Sequence, residues 1–396
     1  MEPAVFFLQL VLILAAARIG GELAGSVKIP PVIGELLAGI LLGPSLLNLI
    51  DLSEPVRLLA EIGILMLLFE VGLETDMGKL AAAGGKAAIV ALAGVVLPFA
   101  GGFFLSYWAF NLSLLASLFI GATLTATSIG ITLRVLRDLK KHNTSESQII
   151  LGAAVLDDII GIILLALLYE FSTTGEIHLW NIGKVLLFIT LFFLIAPLAA
   201  KGIGKVIKSW DQKSKIPGLL PSSIVALILF FAWLAHTLGA PELLGGFAAG
   251  LALSKQFDLP YDPFPGNTPA FTHKVEEQMG PIVHLFAPIF FVAIGLSLNL
   301  RQVAWGSSFI WALTLGLLAV AIIGKLLAGF FIPESRLRQL AIGTAMIPRG
   351  EVGLIFANIA LTSSVIANET YASLILVIAL TTLLAPFALR YLYRQA

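Results

Sequence analysis

The chain has 396 residues, 58% of them hydrophobic and only 12% charged, with a mean hydropathy of +0.98. That balance excludes a water-soluble globular domain and describes a polytopic membrane protein. A formal net charge of zero gives no basic face for nucleic acid, and the lack of cysteine excludes disulfides, thiol catalysis and thiolate metal sites.

A bilayer core about 30 Å thick takes roughly 20 apolar residues in a helix. Such runs recur along the chain with short polar breaks. They are continuous and rich in Leu, Ala, Ile and Gly, whereas a membrane β-barrel would alternate over about ten residues. Thirteen spans are expected, at about 4–24, 31–50, 57–74, 86–108, 112–136, 147–171, 180–208, 218–238, 241–257, 281–299, 303–331, 336–362 and 369–393. The first run follows an acidic start without a small-residue cleavage site and reads as a retained helix. With this set, about nineteen of the 24 Lys and Arg fall on one side, against Arg57, Lys184 and Arg301 on the other. The expected topology is therefore N-terminus outside and C-terminus in the cytoplasm of a plasma (inner) membrane.

Taken along the chain, the second span carries PVIGELLAGILLG, Pro31 to Gly43, and the third ends in LLFEVGLETDM, Leu67 to Met77. Both are echoed later, by PELLGGFAAGLAL, Pro241 to Leu253, and IFFVAIGLSLNL, Ile289 to Leu300. The echo lies seven spans on, so an odd offset would invert the second copy, the plan of secondary transporters that bind substrate near the midplane. The fifth span holds GATLTATSIGITLRVL, Gly121 to Leu136, and the twelfth GTAMIPRGEVGLIF, Gly343 to Phe356. Thr and Ser in one, and Pro348 with Gly350 in the other, predict two broken helices, which lipid tolerates only where they pack in protein or line a cavity.

The sixth span contains VLDDIIG, with Asp157 and Asp158 adjacent in an apolar run, and the eleventh contains Lys325 in LLAVAIIGKLLAGFF. A charge at the bilayer centre costs roughly 2.5–3.5 kcal/mol even on the insertion scale, so these residues are functional candidates. Neighbours on a helix point about 100° apart, so the two carboxylates cannot share one proton face to face. A buried Lys325 needs a carboxylate beside it to keep its proton, so one of the two Asp is expected to pair with it and the other to face a water-filled cavity, alternately holding H+ or a small hard cation. Arg349 and Glu351 are expected to satisfy each other or to join Glu35 in a structural ion cluster. An intramembrane aspartyl protease would need two Asp on separate helices across one water, and no second span supplies one.

The combination of VLDDIIG, ATSIGIT, Lys325 and MIPRGEVGLI, together with PPVIGELLAGILLGP, LLFEVGLET and FAPIFFVAIGL, resembles the second monovalent cation/proton antiporter family and its sodium/proton antiporters of the NapA type. The resemblance implies an all-α antiporter fold of about thirteen transmembrane helices, with inverted repeats and two crossed broken helices. It implies a dimerisation domain at about 1–74 and 218–299, a mobile core at about 86–171 and 303–393, and a linker helix at about 180–208. By the same resemblance, Asp158 is the main cation ligand and proton carrier, Asp157 pairs with Lys325 and releases it when Na+ enters, and Thr127 and Ser128 lend oxygens. The double Asp implies electrogenic exchange of two protons per Na+ (or Li+) by elevator motion in a homodimer, with no cofactor. The potassium-efflux branch carries Gln-Asp and an added cytosolic nucleotide-binding domain, and it marks the alternative, a K+/H+ antiporter or K+ efflux system. Glu70, in LLFEVGLET, stands where an apolar residue is expected.

Overall fold

A computed structural model describes residues 3–27, 30–75, 77–174, 179–213, 216–238, 242–254 and 269–394. Among these the regular structure is helical. The helices are α1 (Pro3–Ser26), α2 (Pro31–Leu42), α3 (Glu54–Glu74), α4 (Met77–Phe104), α5 (Leu114–Thr123), α6 (Ile129–Asp138), α7 (Ser145–Thr174) and α8 (Leu179–Lys213). They continue with α9 (Leu219–Thr237), α10 (Glu242–Leu253), α11 (Pro269–Ser297), α12 (Ser308–Ala328), α13 (Arg336–Ala345), α14 (Glu351–Thr362) and α15 (Asn368–Arg394). A five-residue π turn, Leu105–Ala109, extends α4. Among the described residues, seven helices are long and apolar enough to cross a membrane, including α1, α9 and α12. The chain is a multi-pass membrane protein, all-α as its composition dictates.

Each apolar segment of the sequence falls on a helix or a helix pair, but several ends move. The second span stops at Leu42, not near 50, because Gly43 precedes Pro44 and is driven out of helical geometry, at φ −79° and ψ −173°. The tenth begins at Pro269, well before 281, and carries Pro281 and Pro288 inside the helix. Its charged first turns had suggested a loop. The ninth ends at Leu253, and the rest of its expected length lies outside the described residues.

By packing, the chain divides into two units, one of residues 1–56, 83–178 and 291–396, the other of 57–82 and 179–290. The first unit thus gathers helices from both expected domains, and the second takes in the expected linker. Grouping by contact reports which helices touch, and the expected partition concerns which parts move.

In the first unit, α1 and α2 meet at Gly20 and Gly34, where a Cβ on either would overlap the other's backbone. Its apolar centre is built from α5, α12, α14 and α15, with Phe119, Ile120, Leu313, Leu317, Phe356, Leu374 and Val377 fully buried. In the second unit, α10 lies on α3, with Gly246 and Gly250 against the carbonyls of Leu65 and Phe69. The counterpart in the first unit is α2 on the end of α11, with Gly39 against the carbonyl of Val292. Each contact joins a helix of one echoed sequence pair to a helix of the other.

The ends of α4, α7 and α13 in the first unit are tied by charge. Lys86 Nζ lies 2.6 Å from Glu334 Oε1, Glu334 Oε2 takes Arg338 at 3.2 Å, and Arg338 Nε lies 3.7 Å from Glu146. The hydrogen bond from Lys86 is the largest influence on Glu334 and holds its carboxyl below the usual value of 4.5. A carboxyl lowered by folding adds stability above its unfolded pKa and loses it as pH falls through the folded one. Glu334→Gln should therefore cost on the order of 1 kcal/mol or less at neutral pH, with the difference from the parent shrinking as pH falls below the usual carboxylate value and through the lowered one. Thermal unfolding across pH checks this.

Candidate functional site

The site is built where two interrupted helices meet. The fifth span ends its first helix at Thr123 and restarts at Ile129, and the twelfth ends at Ala345 and restarts at Glu351. Pro348 cannot donate to a helical carbonyl, and the residue before it is pushed out of helical geometry. In the partner segment the hydroxyls serve the freed backbone. Thr125 Oγ1 donates to the Ala122 carbonyl at 2.8 Å, and Thr123 Oγ1 to that of Phe119 at 2.8 Å.

The two breaks bond to each other. The Ser128 N–H donates to the Pro348 carbonyl at 2.8 Å, Thr127 Oγ1 to Met346 at 3.3 Å, and Thr132 Oγ1 to Ala345 at 2.5 Å. From α15, Thr382 Oγ1 donates to the Arg349 carbonyl. The Ser128 hydroxyl is buried and has no protein partner. It is an oxygen available at the crossing. Gly350 is required beside it, because a Cβ there would come within 2.7 Å of both Cβ and Oγ of Ser128. Gly350→Ala should force the breaks apart while leaving most of the protein folded, which thermal unfolding and an experimental structure of the variant would read.

Two helices end and two begin at this crossing, so partial charges of both signs converge. Arg349 is fully buried among the carbonyl ends. Its Nη1 donates to Ala126 and Met346, each at 3.3 Å, and Nη2 reaches Ala321 on α12 at 3.5 Å. A delocalised guanidinium spread over three carbonyls offsets the negative ends without a carboxylate.

The charged pair of α7 and α12 stands beside this arrangement. Lys325 Nζ is 3.4 Å from both Oδ1 and Oδ2 of Asp157, and both side chains are buried, at 0% and 1% exposure. Asp158, the next residue, is only partly buried. The field of Asp158 reaches Lys325, and that of Asp157 reaches Arg349. Gly94 of α4 lies against the ammonium, where a Cβ would meet Nζ at 3.4 Å.

The crossing thus brings together Asp157, Lys325, Thr127, Ser128 and Arg349, with Asp158 on the neighbouring position of α7. It does not bring Glu35 to Arg349. Glu35, on α2, faces Arg134 Nη2 at 3.7 Å, and Arg134 Nε faces Asp138 at 3.4 Å. Among the described side chains, Arg349 is thus held by three backbone carbonyls, which take its terminal nitrogens, and Glu35 stands apart with Arg134 at 3.7 Å. The Glu351 side chain lies outside the described residues. Residues that sequence reasoning passed over are Thr132, Thr382, Gly94 and Arg134. Thr132 shares the hydroxyl-rich run of the fifth span, but nothing in ALTTLLAPF marked Thr382.

The sequence profile of the family described as "Sodium/hydrogen exchanger, transmembrane" matches residues 10–395. The high-affinity Na+/H+ antiporter NhaS3 of Synechocystis sp. is 37% identical, the alignment covering 98% of this chain and 90% of that one. The Na+/H+-K+ antiporter GerN of Bacillus cereus is 33% identical over 98% and 96%, and the Na+/H+ antiporter of Enterococcus hirae 32% over 98% and 97%. Among solved structures, the sodium proton antiporter MjNhaP1 of Methanocaldococcus jannaschii superposes with a TM-score of 0.68 over 98% of this chain and 96% of that one, at 16% identity, and so shares the fold. With a profile that spans nearly its whole length and relatives above 30% identity end to end, the chain belongs to the sodium/hydrogen exchanger family.

Proposed function

We propose that the protein is a secondary active transporter, not an enzyme, that exchanges Na+ for H+ across the plasma membrane. The observation that carries this reading is the buried Asp157–Lys325 pair at the crossing of two broken helices, with the partly accessible Asp158 beside it. Family membership and the Na+/H+ antiporters among its relatives support it.

The charges suggest a mechanism. With protons loaded, Asp158 is a neutral acid, and Asp157⁻ is balanced by Lys325⁺. When Na+ enters, Asp158 gives up its proton to become the cation's ligand, and Asp157 turns from Lys325 to the ion. Lys325 then loses its proton, since an unpaired buried ammonium is costly. Two protons leave for one Na+, so one net charge moves per cycle. The hydroxyls of Thr127 and Ser128, with backbone carbonyls at the breaks, complete the oxygen shell that a hard cation requires. Arg349 holds the crossing in shape.

Access alternates as an elevator. The core, about 86–171 and 303–393, carries the site against a dimerisation domain, about 1–74 and 218–299, with 180–208 linking them and thirteen crossings in all. The protein works as a homodimer, N-terminus outside and C-terminus in the cytoplasm, as the distribution of Lys and Arg favours. The exchanged contacts of the echoed helices, Gly39 on α11 and Gly250 on α3, favour an inverted repeat.

A second reading, K+/H+ exchange, is favoured by the relative GerN, whose name includes K+. Proteoliposomes containing purified protein and a pH dye decide between them. Na+ should dissipate the proton gradient at lower concentration than K+. K+ alone doing so would replace the first reading by the second, and neither ion doing so would remove both.

A further inference from the structure

Three hydroxyls outside the site share one level of the first unit. Ser106 in the π turn, Ser117 in α5 and Thr314 in α12 are each fully buried. None of the three hydroxyl oxygens has a hydrogen-bond partner in the protein. Buried hydroxyls are rarely left so, because an unpaired one forfeits its hydration without replacement.

Packing sets their common level. Helices α4 and α5 run antiparallel and touch at Gly102, where a Cβ would lie 3.2 Å from the Gly121 Cα. One turn beyond each glycine, on the same face, are Ser106 and Ser117. Helix α12 also runs antiparallel on α4, with Gly324 against Pro98, Gly316 against Leu105, and Val320 against Gly101. That register places Thr314 level with the π turn. The backbone there has already left α-helical register, a feature that often accompanies a special site. The Ser106 carbonyl accepts from Leu112 N–H at 3.1 Å, which leaves the side chain still to be satisfied.

We propose that Ser106, Ser117 and Thr314 hold one internal water molecule where α4, α5 and α12 converge. Water suits the chemistry. It makes 2–4 hydrogen bonds as donor and acceptor, and hydroxyls are both. Three neutral hydroxyls bring no charge to offset the dehydration of a cation. Thr314 and Lys325 are eleven residues apart on one face of α12, roughly 16 Å along the axis. Buried Leu317 and Ala321 intervene, so the water holds helices together and takes no part in the proton route.

Ser106→Ala, Ser117→Ala and Thr314→Val, made singly and together in the full chain, test the proposal by thermal unfolding. Each single change removes one partner of a shared water and should lower Tm by about 2–4 °C. The triple variant should lose less than the three singles combined, since the water leaves with all its partners. Single variants with raised or unchanged Tm would mean each hydroxyl was simply unsatisfied and would overturn the proposal, as would strictly additive losses. An experimental map sharp enough to show ordered water should reveal one within hydrogen-bond distance of at least two of the hydroxyls. A map in which protein atoms close that space would overturn it independently.

Discussion

Asp158→Asn should abolish Na+-driven proton movement in proteoliposomes, bringing it to the level of empty vesicles, with the protein still folded. An amide keeps the size and one acceptor oxygen, but it can neither carry a proton between pH 5 and 9 nor neutralise a bound cation. The change leaves the Asp157–Lys325 pair and the bonds of the crossing untouched. Asp158 is only partly buried, so its loss leaves no deep cavity and should shift Tm by less than the change at Asp157 described below. Full exchange in this variant would remove Asp158 from the mechanism. A loss of folded protein equal to the loss of flux would make it structural.

Lys325→Met should be the most destabilising of the conservative changes at the site. It leaves Asp157 buried at 1% exposure without its counter-ion, and breaking a buried pair from one side costs about 3–5 kcal/mol. Asp157→Asn strands Lys325 in the same way. The double variant, Asp157→Asn with Lys325→Met, removes both charges and should recover most of the stability of either single, although the mechanism predicts altered coupling. What it keeps is informative. If Asp158 alone carries a proton, the double variant still exchanges Na+ for H+, but one for one, without moving net charge and with a changed pH–rate profile. A double variant no more stable than its parents would show that the two groups do not stabilise each other. One that still moves charge would show that Lys325 carries no proton of the cycle.

Much of this arrangement was legible in the sequence because membrane segments obey few rules. Apolar runs of membrane length, a Pro348–Gly350 pair and a hydroxyl-rich stretch located the helices and both breaks before any coordinates, since lipid leaves the backbone no other partners. That the two carboxylates face different ways follows from the 100° step between neighbours; which of them meets Lys325 comes only from the family resemblance, and the structure places Asp157 there. Helix ends were less legible. The charged stretch before Pro281 does not look like a membrane segment, yet α11 starts at Pro269 and runs through Pro281 and Pro288. Glu35 was expected beside Arg349 for a different reason: Arg349 could be seen to need partners, but a sequence shows no carbonyls, and its described partners are the backbone of Ala126, Met346 and Ala321. Glu35 then fell to Arg134, whose position depends on how α2 lies on α6. Pairings between residues one hundred apart depend on packing that no local pattern encodes.

The central claim, that one Na+ exchanges for two protons through Asp158 and the Asp157–Lys325 pair, is tested most directly by the reversal potential of the purified protein in a planar or supported membrane under set Na+ and H+ gradients. With a tenfold Na+ gradient and equal pH on both sides, two-for-one exchange reverses at about 59 mV. Each unit of pH difference should move that potential by twice as much. A current that reverses there, and that disappears in Asp158→Asn, is the predicted result. Na+ flux and proton flux without any current at any potential would contradict it, because one-for-one exchange moves no charge.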